Sequence, residues 1–526
     1  LLVVSSFGAF AFLEAAPGNP AAAYGQPGQP FYVHYVGWIF HVLRGDLGWS
    51  PSNSAPVSRV IVEGLPATIE LAFVAFVASV MLGALVGFVR ARVRAPMLRG
   101  VFAIAQLIGR AAPVIVLALF LQLLLGVTGV LPVAGIASTE NFDFGDRISH
   151  LILPVLCLAV PFGAWASTIF FDFFRTEDDA FGTPAHGIVS PLVQSAALIG
   201  PALLSASILI EPLFAWPGFA RVFFGGVQRF DSAVVAGGLL FYCTAIVLIG
   251  LVADLAPDVR DAPLPRATAS PPRPAGGRKR IGATGAVAGA VLVVAVFGAL
   301  VANAAPFGPY FIDQGHWVGY PLAPGAAGHA LGTDENGRDL LARVLVGLRT
   351  SLGIAALAAL FAAAIGFVAA RATTTLRRRD DRTAAALAGI RPFAGFPFVL
   401  AAVALLVMRS HGTHILNPFV IALIIGAVSW PAAVPLFRTL TPGTLAGTVD
   451  LMACALLIEV TQSFFGLGVQ PPTPSLGNML VNAQSNAVVA PWIPIVPTVF
   501  MIVTLFALYA VAAELRNTPS AKEFFC

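Results

Sequence analysis

A chain of 526 residues that is 58% hydrophobic and 11% charged is not an ordinary water-soluble domain. Its formal net charge of +4 says less than where the charges lie, and its mean hydropathy is +0.86. Apolar runs of about 20 residues recur along it, each enough to cross a bilayer core as helix. The bilayer offers backbone amides no water, so helices are the economical spanning form.

In chain order the runs predict spans over 1–16, 65–89, 101–125, 151–171, 191–211, 232–256, 283–303, 351–370, 383–408, 416–437, 447–467 and 491–515. That makes twelve, six in each half, and the expected fold is an all-α polytopic membrane protein of two parallel six-helix halves. The first run is short for a crossing, so the expectation is that a few residues precede it or that the chain begins at an unusual start codon. A signal peptide is the rival reading, since AFLEAAPGNP weakly resembles a cleavage site, but no basic segment precedes it. Cys157, Cys243 and Cys454 fall in apolar segments without metal-ligand spacing, Cys526 is the last residue, and all four read as small packing residues.

Basic residues orient the spans. Arg90, Arg92, Arg94 and Arg99 follow the second, Arg260 to Arg280 follow the sixth, and Arg371 to Arg382 follow the eighth. If every span crosses once, the three clusters share one side, which the positive-inside rule makes cytoplasmic. Both termini are then cytoplasmic too. Residues 257–282 are rich in Pro and Arg with no apolar period and read as a cytoplasmic linker between halves 1–256 and 283–526; an ordinary loop is the plainer alternative.

An internal repeat supports the joint. RVIVEGLPATIELA from Arg59 matches RVLVGLRTSLGIA from Arg343, and LIEPLFAWPGF (209–219) matches LIEVTQSFFGLG (457–468). Six spans return the chain to its starting side, so the halves can be related by an axis along the membrane normal. A solute pathway would lie most naturally at their interface.

The stretch LGTDENGRDLLARVLVGLRTSL (331–352) concentrates charge beside an apolar run. Leu340, Leu341, Val344, Leu345 and Leu348 form one helical stripe, with Arg338 and Arg349 off it and Asp339 able to meet Arg343 at i,i+4. The pattern predicts a helix lying in the membrane interface before the chain turns into the bilayer. A calcium loop from Asp334, Asn336 and Gly337 lacks the later ligand positions of an EF-hand.

Arg110 and Arg391 lie inside predicted spans, and Glu211 and Glu459 end the fifth span of each half. Intramembrane charges are costly and point to a pathway; anchoring, helix packing and interface structure are the alternatives. Trp38, Trp49, Trp216 and Trp317 read as interfacial anchors. His34 and His41, and His411 and His414, could share helix faces, but no His, Cys or carboxylate spacing resembles a metal site. No catalytic motif stands out, and no enzymatic activity, resident cofactor or nucleic-acid partner is expected.

The charged stretch also resembles the segment entering the second span of permeases of the dipeptide/oligopeptide/nickel ABC importer family, and SFFGLGVQPPTPSLGNML (463–480) resembles that family's second-permease motif. APGNP, LRGDLGWS, LPATIELA, HLILP and FAWPGFAR resemble the partner permease. Nearly the whole chain is covered, as if two permease subunits were fused. The resemblance implies import of peptides or similar small solutes across a bacterial inner membrane. It also implies an extracytoplasmic binding protein and two ATPase subunits, or a fused pair, that bind the ATP. No phosphate-binding loop can be built here, since Lys279 precedes Arg280 and Lys522 precedes Glu523. ATPase docking would fall on 172–190 and 438–446, with Arg175, Asp178, Asp179, Arg438 and Thr439, though both loops are shorter than the family's and lack its usual patterns. Receptor docking would fall on 32–60, 212–231 and 329–349, with Trp216, Asp334, Arg338 and Asp339 facing the binding protein. The rival readings are a proton-coupled secondary transporter and a membrane scaffold without ATPase coupling.

Overall fold

The computed structural model describes residues 2–16, 21, 24, 29–111, 114–126, 130–138, 143–179, 189–255, 287, 289–293, 298, 307–312, 321–377, 417–438, 443–482, 486 and 489–517. The chain divides into two compact units, Leu1–Gly276 and Gly277–Cys526. The linker at 257–282, the span at 383–408 with Arg391, Trp317, and the pair His411 and His414 lie outside the described residues, as does nearly all of 283–303.

The first unit contains α1 (Leu2–Ala15), α2 (Phe31–Leu43), a two-residue hairpin of β1 (Trp49–Ser50) and β2 (Ala55–Pro56), α3 (Val57–Arg92), α4 (Pro96–Ala111), α5 (Val114–Gly126), α6 (Phe144–Asp179), α7 (Val189–Leu213), α8 (Phe219–Gln228) and α9 (Ser232–Leu255). The hairpin is antiparallel, pairing Trp49 with Pro56 and Ser50 with Ala55. The second unit contains α10 (Leu340–Arg377), α11 (Pro418–Arg438), α12 (Gly443–Phe464) and α13 (Trp492–Asn517). Seven described helices are long and apolar enough to cross a membrane, so the chain is an all-α polytopic membrane protein.

Small residues set the packing. In the first unit α3 lies along α6, and a Cβ on Gly83 would stand 2.5 Å from Ala166 Cβ. In the second, α10 lies along α11, and a Cβ on Gly426 would stand 2.6 Å from Phe361 Cβ. Lipid tails are as apolar as the helices, so such close approach, rather than hydrophobic burial, holds membrane helices together. Leu71, Ala75, Leu153, Leu158, Phe170 and Trp216 belong to the first unit's core, with Cys157. Cys157 and Cys243 are buried free thiols, in keeping with packing roles, whereas Cys454, also expected to pack inside, is exposed on α12.

Several boundaries differ from those expected. The span at 65–89 begins eight residues earlier, at Val57, because Pro66 stands within the helix without ending it. The span at 101–125 is two helices, α4 and α5. The segment 32–60, expected on the outer side, contains the apolar helix α2, on which Trp38 is buried against Phe10 and Tyr35. The loop at 172–190 is helical as far as Asp179, and that at 438–446 narrows to 439–442 between α11 and α12.

The largest correction concerns 340–349. No interfacial helix precedes a turn into the bilayer: α10 is continuous over 38 residues, roughly 57 Å at 1.5 Å per residue. That exceeds a hydrocarbon core of about 30 Å, so one end stands clear of lipid unless strongly tilted. The expected single stripe is absent as well. Leu340, Ala342, Val344, Val346 and Leu348 are all buried, on more than one face, because the chain's own loops wrap this end.

Candidate functional site

The charged stretch before α10 folds onto itself. Asp334 Oδ1 accepts backbone N–H groups from Asn336 and Arg338, both at 2.9 Å, which closes a turn completed by Gly337 at φ 74°. Its Oδ2 takes the Arg338 guanidinium at 2.7 Å and lies 3.1 Å from Arg343 Nε. Asp339 does not pair with the Arg343 side chain. It is the N-cap of α10, with Oδ1 accepting the Ala342 N–H at 2.7 Å and Oδ2 2.8 Å from His329 Nδ1. Asp334, Asp339, Arg343 and His329 are all buried. The charges cluster because they satisfy one another and the first turn of the helix, not because they line an outward face. The receptor-facing reading of Asp334 and Asp339 therefore does not match their inward placement.

A second construction recurs in both units. In the first, α7 ends near Glu211, the chain reverses through 214–218, and α8 begins at Phe219. The reversed segment lies across α3 at Gly64, where a Cβ would stand 2.7 Å from Phe219 N. One turn on, Thr68 Oγ1 accepts the Phe219 N–H at 2.8 Å and lies beside the Glu211 carboxylate. Glu211 is fully buried; its Oε2 accepts the Arg221 N–H at 3.0 Å. Trp216, expected at a receptor-facing surface, is fully buried, and its indole N–H donates to Ala67 O at 2.9 Å. The buried ring with its paired N–H anchors the turn on α3.

In the second unit, segment 465–477 returns across α10 at Gly347, where a Cβ would stand 3.2 Å from Ser475 C. One turn on, Ser351 Oγ accepts the Leu476 N–H at 3.1 Å. The fully buried Glu459 accepts the Ser463 hydroxyl at 2.7 Å and sits beside Ser351 and Ser475. Ser463 Oγ in turn accepts the Val469 N–H at 3.0 Å, and Asn478 Nδ2 donates to Val469 O and Thr473 O. Pro471 and Pro472, joined by a cis peptide, stand exposed at the tip. Gln462, next to this network, is fully buried with both amide atoms unpartnered.

Each unit thus pins a returning segment to its long helix, α3 or α10, by a glycine, a hydroxyl one turn later and a buried carboxylate. The repeat aligns Gly64 with Gly347 and Thr68 with Ser351. These four residues are functional candidates that sequence reading passed over, although the alignment of the two repeats carried the signal. Each carboxylate keeps one oxygen, Glu211 Oε1 and Glu459 Oε2, buried without a hydrogen-bond partner, an arrangement that costs free energy.

Two further pairings fix the first unit. Glu70 on α3 takes both Nε and Nη2 of Arg147 on α6, the first at 2.8 Å. Asp231 caps α9 through the Val234 N–H and holds the hairpin through the Ser50 hydroxyl at 2.6 Å. Among the other expected sites, Arg110 lies on α4, Asp178 and Asp179 end α6 and Arg438 ends α11, while Thr439 lies outside the described residues. Arg175 is exposed on α6. Among the described residues no group of three or more His, Cys, Asp or Glu could hold a metal.

No protein-family model matches the chain. The chain is 30% identical over 288 residues to a putative peptide transport system permease of Brucella abortus, covering 48% of this chain and 91% of that protein. It is 30% identical over 266 residues to the probable D,D-dipeptide transport system permease DdpB of Escherichia coli K12, covering 43% of this chain and 78% of that protein. It is 26% identical over 283 residues to the oligopeptide transport system permease AppB of Bacillus subtilis, covering 47% and 89%.

Proposed function

Because the chain belongs to the family of dipeptide and oligopeptide ABC transport permeases, we propose that it is the membrane component of an importer carrying peptides or similar small solutes into the cytoplasm. Two permeases are joined in one chain, ATP is bound by separate ATPase subunits, and an extracytoplasmic binding protein delivers the solute. The observation that carries this is one of length: a relative is matched over as much as nine-tenths of itself while occupying just under half of this chain. The repeated glycine, hydroxyl and carboxylate construction supports two permease-like halves.

In this reading the basic clusters at 90–99 and 371–382 face the cytoplasm, as do both termini. The pinned segments at 214–221 and 463–478 then face outward, where they hold a fixed shape for a binding protein to meet. Trp216, Asp334 and Asp339 act from beneath, positioning that surface, and Arg338 lies closer to it. Arg110, Arg391, Glu211 and Glu459 are the pathway candidates. Transport then proceeds by alternating access, with the solute exposed to each side of the membrane in turn.

The short connections at 180–188 and 439–442 favour a second reading, a membrane scaffold that no longer engages ATPases. Co-purification with an ATPase pair, followed by ATP hydrolysis in liposomes, separates the readings. Peptide-stimulated hydrolysis upholds the importer. Uptake driven by a pH gradient alone would assign a proton-coupled transporter instead, and no uptake with any partner would leave the scaffold.

A further inference from the structure

Near the C-terminal end of α3 lies a cavity of about 300 Å³ lined by Arg90, Arg99 and Arg175 together with Phe102 and Phe171. The three arginines come from three helices, α3, α4 and α6, so the cluster exists only in the folded unit. Arg90 stacks on Phe171, its guanidinium carbon 4.5 Å from the ring centroid, and its Nη1 is buried with no hydrogen-bond partner. Arg99 spends its Nε–H on Val93 O at 2.9 Å, which steadies the guanidinium and leaves the terminal amino groups available. Arg175 lies one turn beyond Phe171 on α6 and so shares its face. The described lining contains no carboxylate; Asp172 acts on Arg90 and Arg175 electrostatically but is not among the lining residues.

Three guanidinium groups around one space repel each other, and a buried cationic N–H without an acceptor is costly. An anion with several oxygens relieves both. The planar donor fork of arginine suits phosphate oxygens two at a time, and the two phenyl rings supply an apolar wall for whatever carries the phosphate. The position, where a span ends among basic residues, is where phospholipid headgroups sit.

We propose that this cavity is a binding site for a phosphate group, carried either by an anionic phospholipid headgroup or by free phosphate. The site does not depend on the transport reading, since binding is measured on the chain alone.

The test is native mass spectrometry of the full chain in detergent, titrated with phosphatidylglycerol and, separately, with zwitterionic phosphatidylcholine. Wild type should retain phosphatidylglycerol in preference. The Arg90→Gln/Arg99→Gln variant should bind it about ten- to thirty-fold more weakly, and Arg59→Gln, at the opposite end of α3, should match wild type. Arg175 is exposed, so Arg175→Gln keeps the fold and should weaken binding about five-fold by itself. Displacement by millimolar inorganic phosphate identifies free phosphate as the source; resistance to it identifies the lipid. Equal affinity in wild type and both arginine variants, for phosphatidylglycerol and for inorganic phosphate alike, overturns the proposal. Loss of ATPase co-purification with unchanged phosphate binding would also overturn it, assigning the arginines to a protein partner.

Discussion

Gly218→Ala tests how the turn at 214–218 of the first unit is built. A methyl at this position would stand 2.6 Å from Glu211 Oε1 and closer still to Oε2. Ordinary carbon–oxygen contact is about 3.4 Å, so the carboxylate must withdraw by more than an ångström at its nearer oxygen. Glu211 is fully buried, and its Oε2 holds the Arg221 N–H at 3.0 Å. Overpacking costs about 1–3 kcal/mol, and losing a hydrogen bond to a charged group about 1.5–3 kcal/mol. The two overlap, which gives an expected loss of about 2–4 kcal/mol. Trp216, buried in the same turn, reports the change. Thermal unfolding in detergent, followed by tryptophan fluorescence, should show a midpoint lowered by several degrees. Gly100→Ala, with nothing within 4 Å of the added methyl, should leave it unchanged or slightly raised. Glu211→Ala removes the obstacle, so Gly218→Ala made in that background should cost much less than in wild type. Equal costs in the two backgrounds would refute the contact as the cause.

The same logic extends to the other anchors. Ser351→Ala should leave the buried Leu476 N–H without an acceptor, destabilise the second unit by about 1–3 kcal/mol and raise protease cutting within 465–477; unchanged cutting would detach this hydroxyl from the loop. Asp334→Asn should leave Arg343 buried without its counter-charge, at about 3–5 kcal/mol in thermal unfolding, whereas Glu335→Gln should shift the midpoint little. Outside the spans, the His41 ring and the Gly48 N–H hold the Asp46 carboxyl below the usual carboxylate range. Its stabilisation of the 44–48 turn is therefore present above an unfolded pKa of about 3.9 and lost as pH falls through the lower folded value. Pepsin cleavage near Leu47, normalised to other sites, should rise across that acid window in wild type and be insensitive to pH in Asp46→Asn.

Much of this protein is written locally. Runs such as 65–89 and 491–515 can satisfy their backbone in lipid only as helices, so their existence follows from composition alone. The family motifs and the duplication are also matters of local order, and the relatives bear out the family resemblance. The candidate site was legible only in part. Glu211 and Glu459 stood out because carboxylates are rare in such runs, but Thr68, Ser351, Gly64 and Gly347 looked like any small residues of a membrane helix.

Period and spacing could not say which surface the loops would cover. The charges at 334–343 appear amphipathic in sequence, yet the chain wraps them, so α10 continues where an interfacial helix with a bend was expected. Trp216 has the composition of a surface anchor and is buried instead, because a loop returning from more than a hundred residues away lies on α3. Residue order determined that helices cross the membrane and that the plan occurs twice. The tertiary structure alone decided which polar groups meet inside, because a hydrogen bond such as Leu476 N–H to Ser351 Oγ depends on packing between segments whose separation no local pattern encodes.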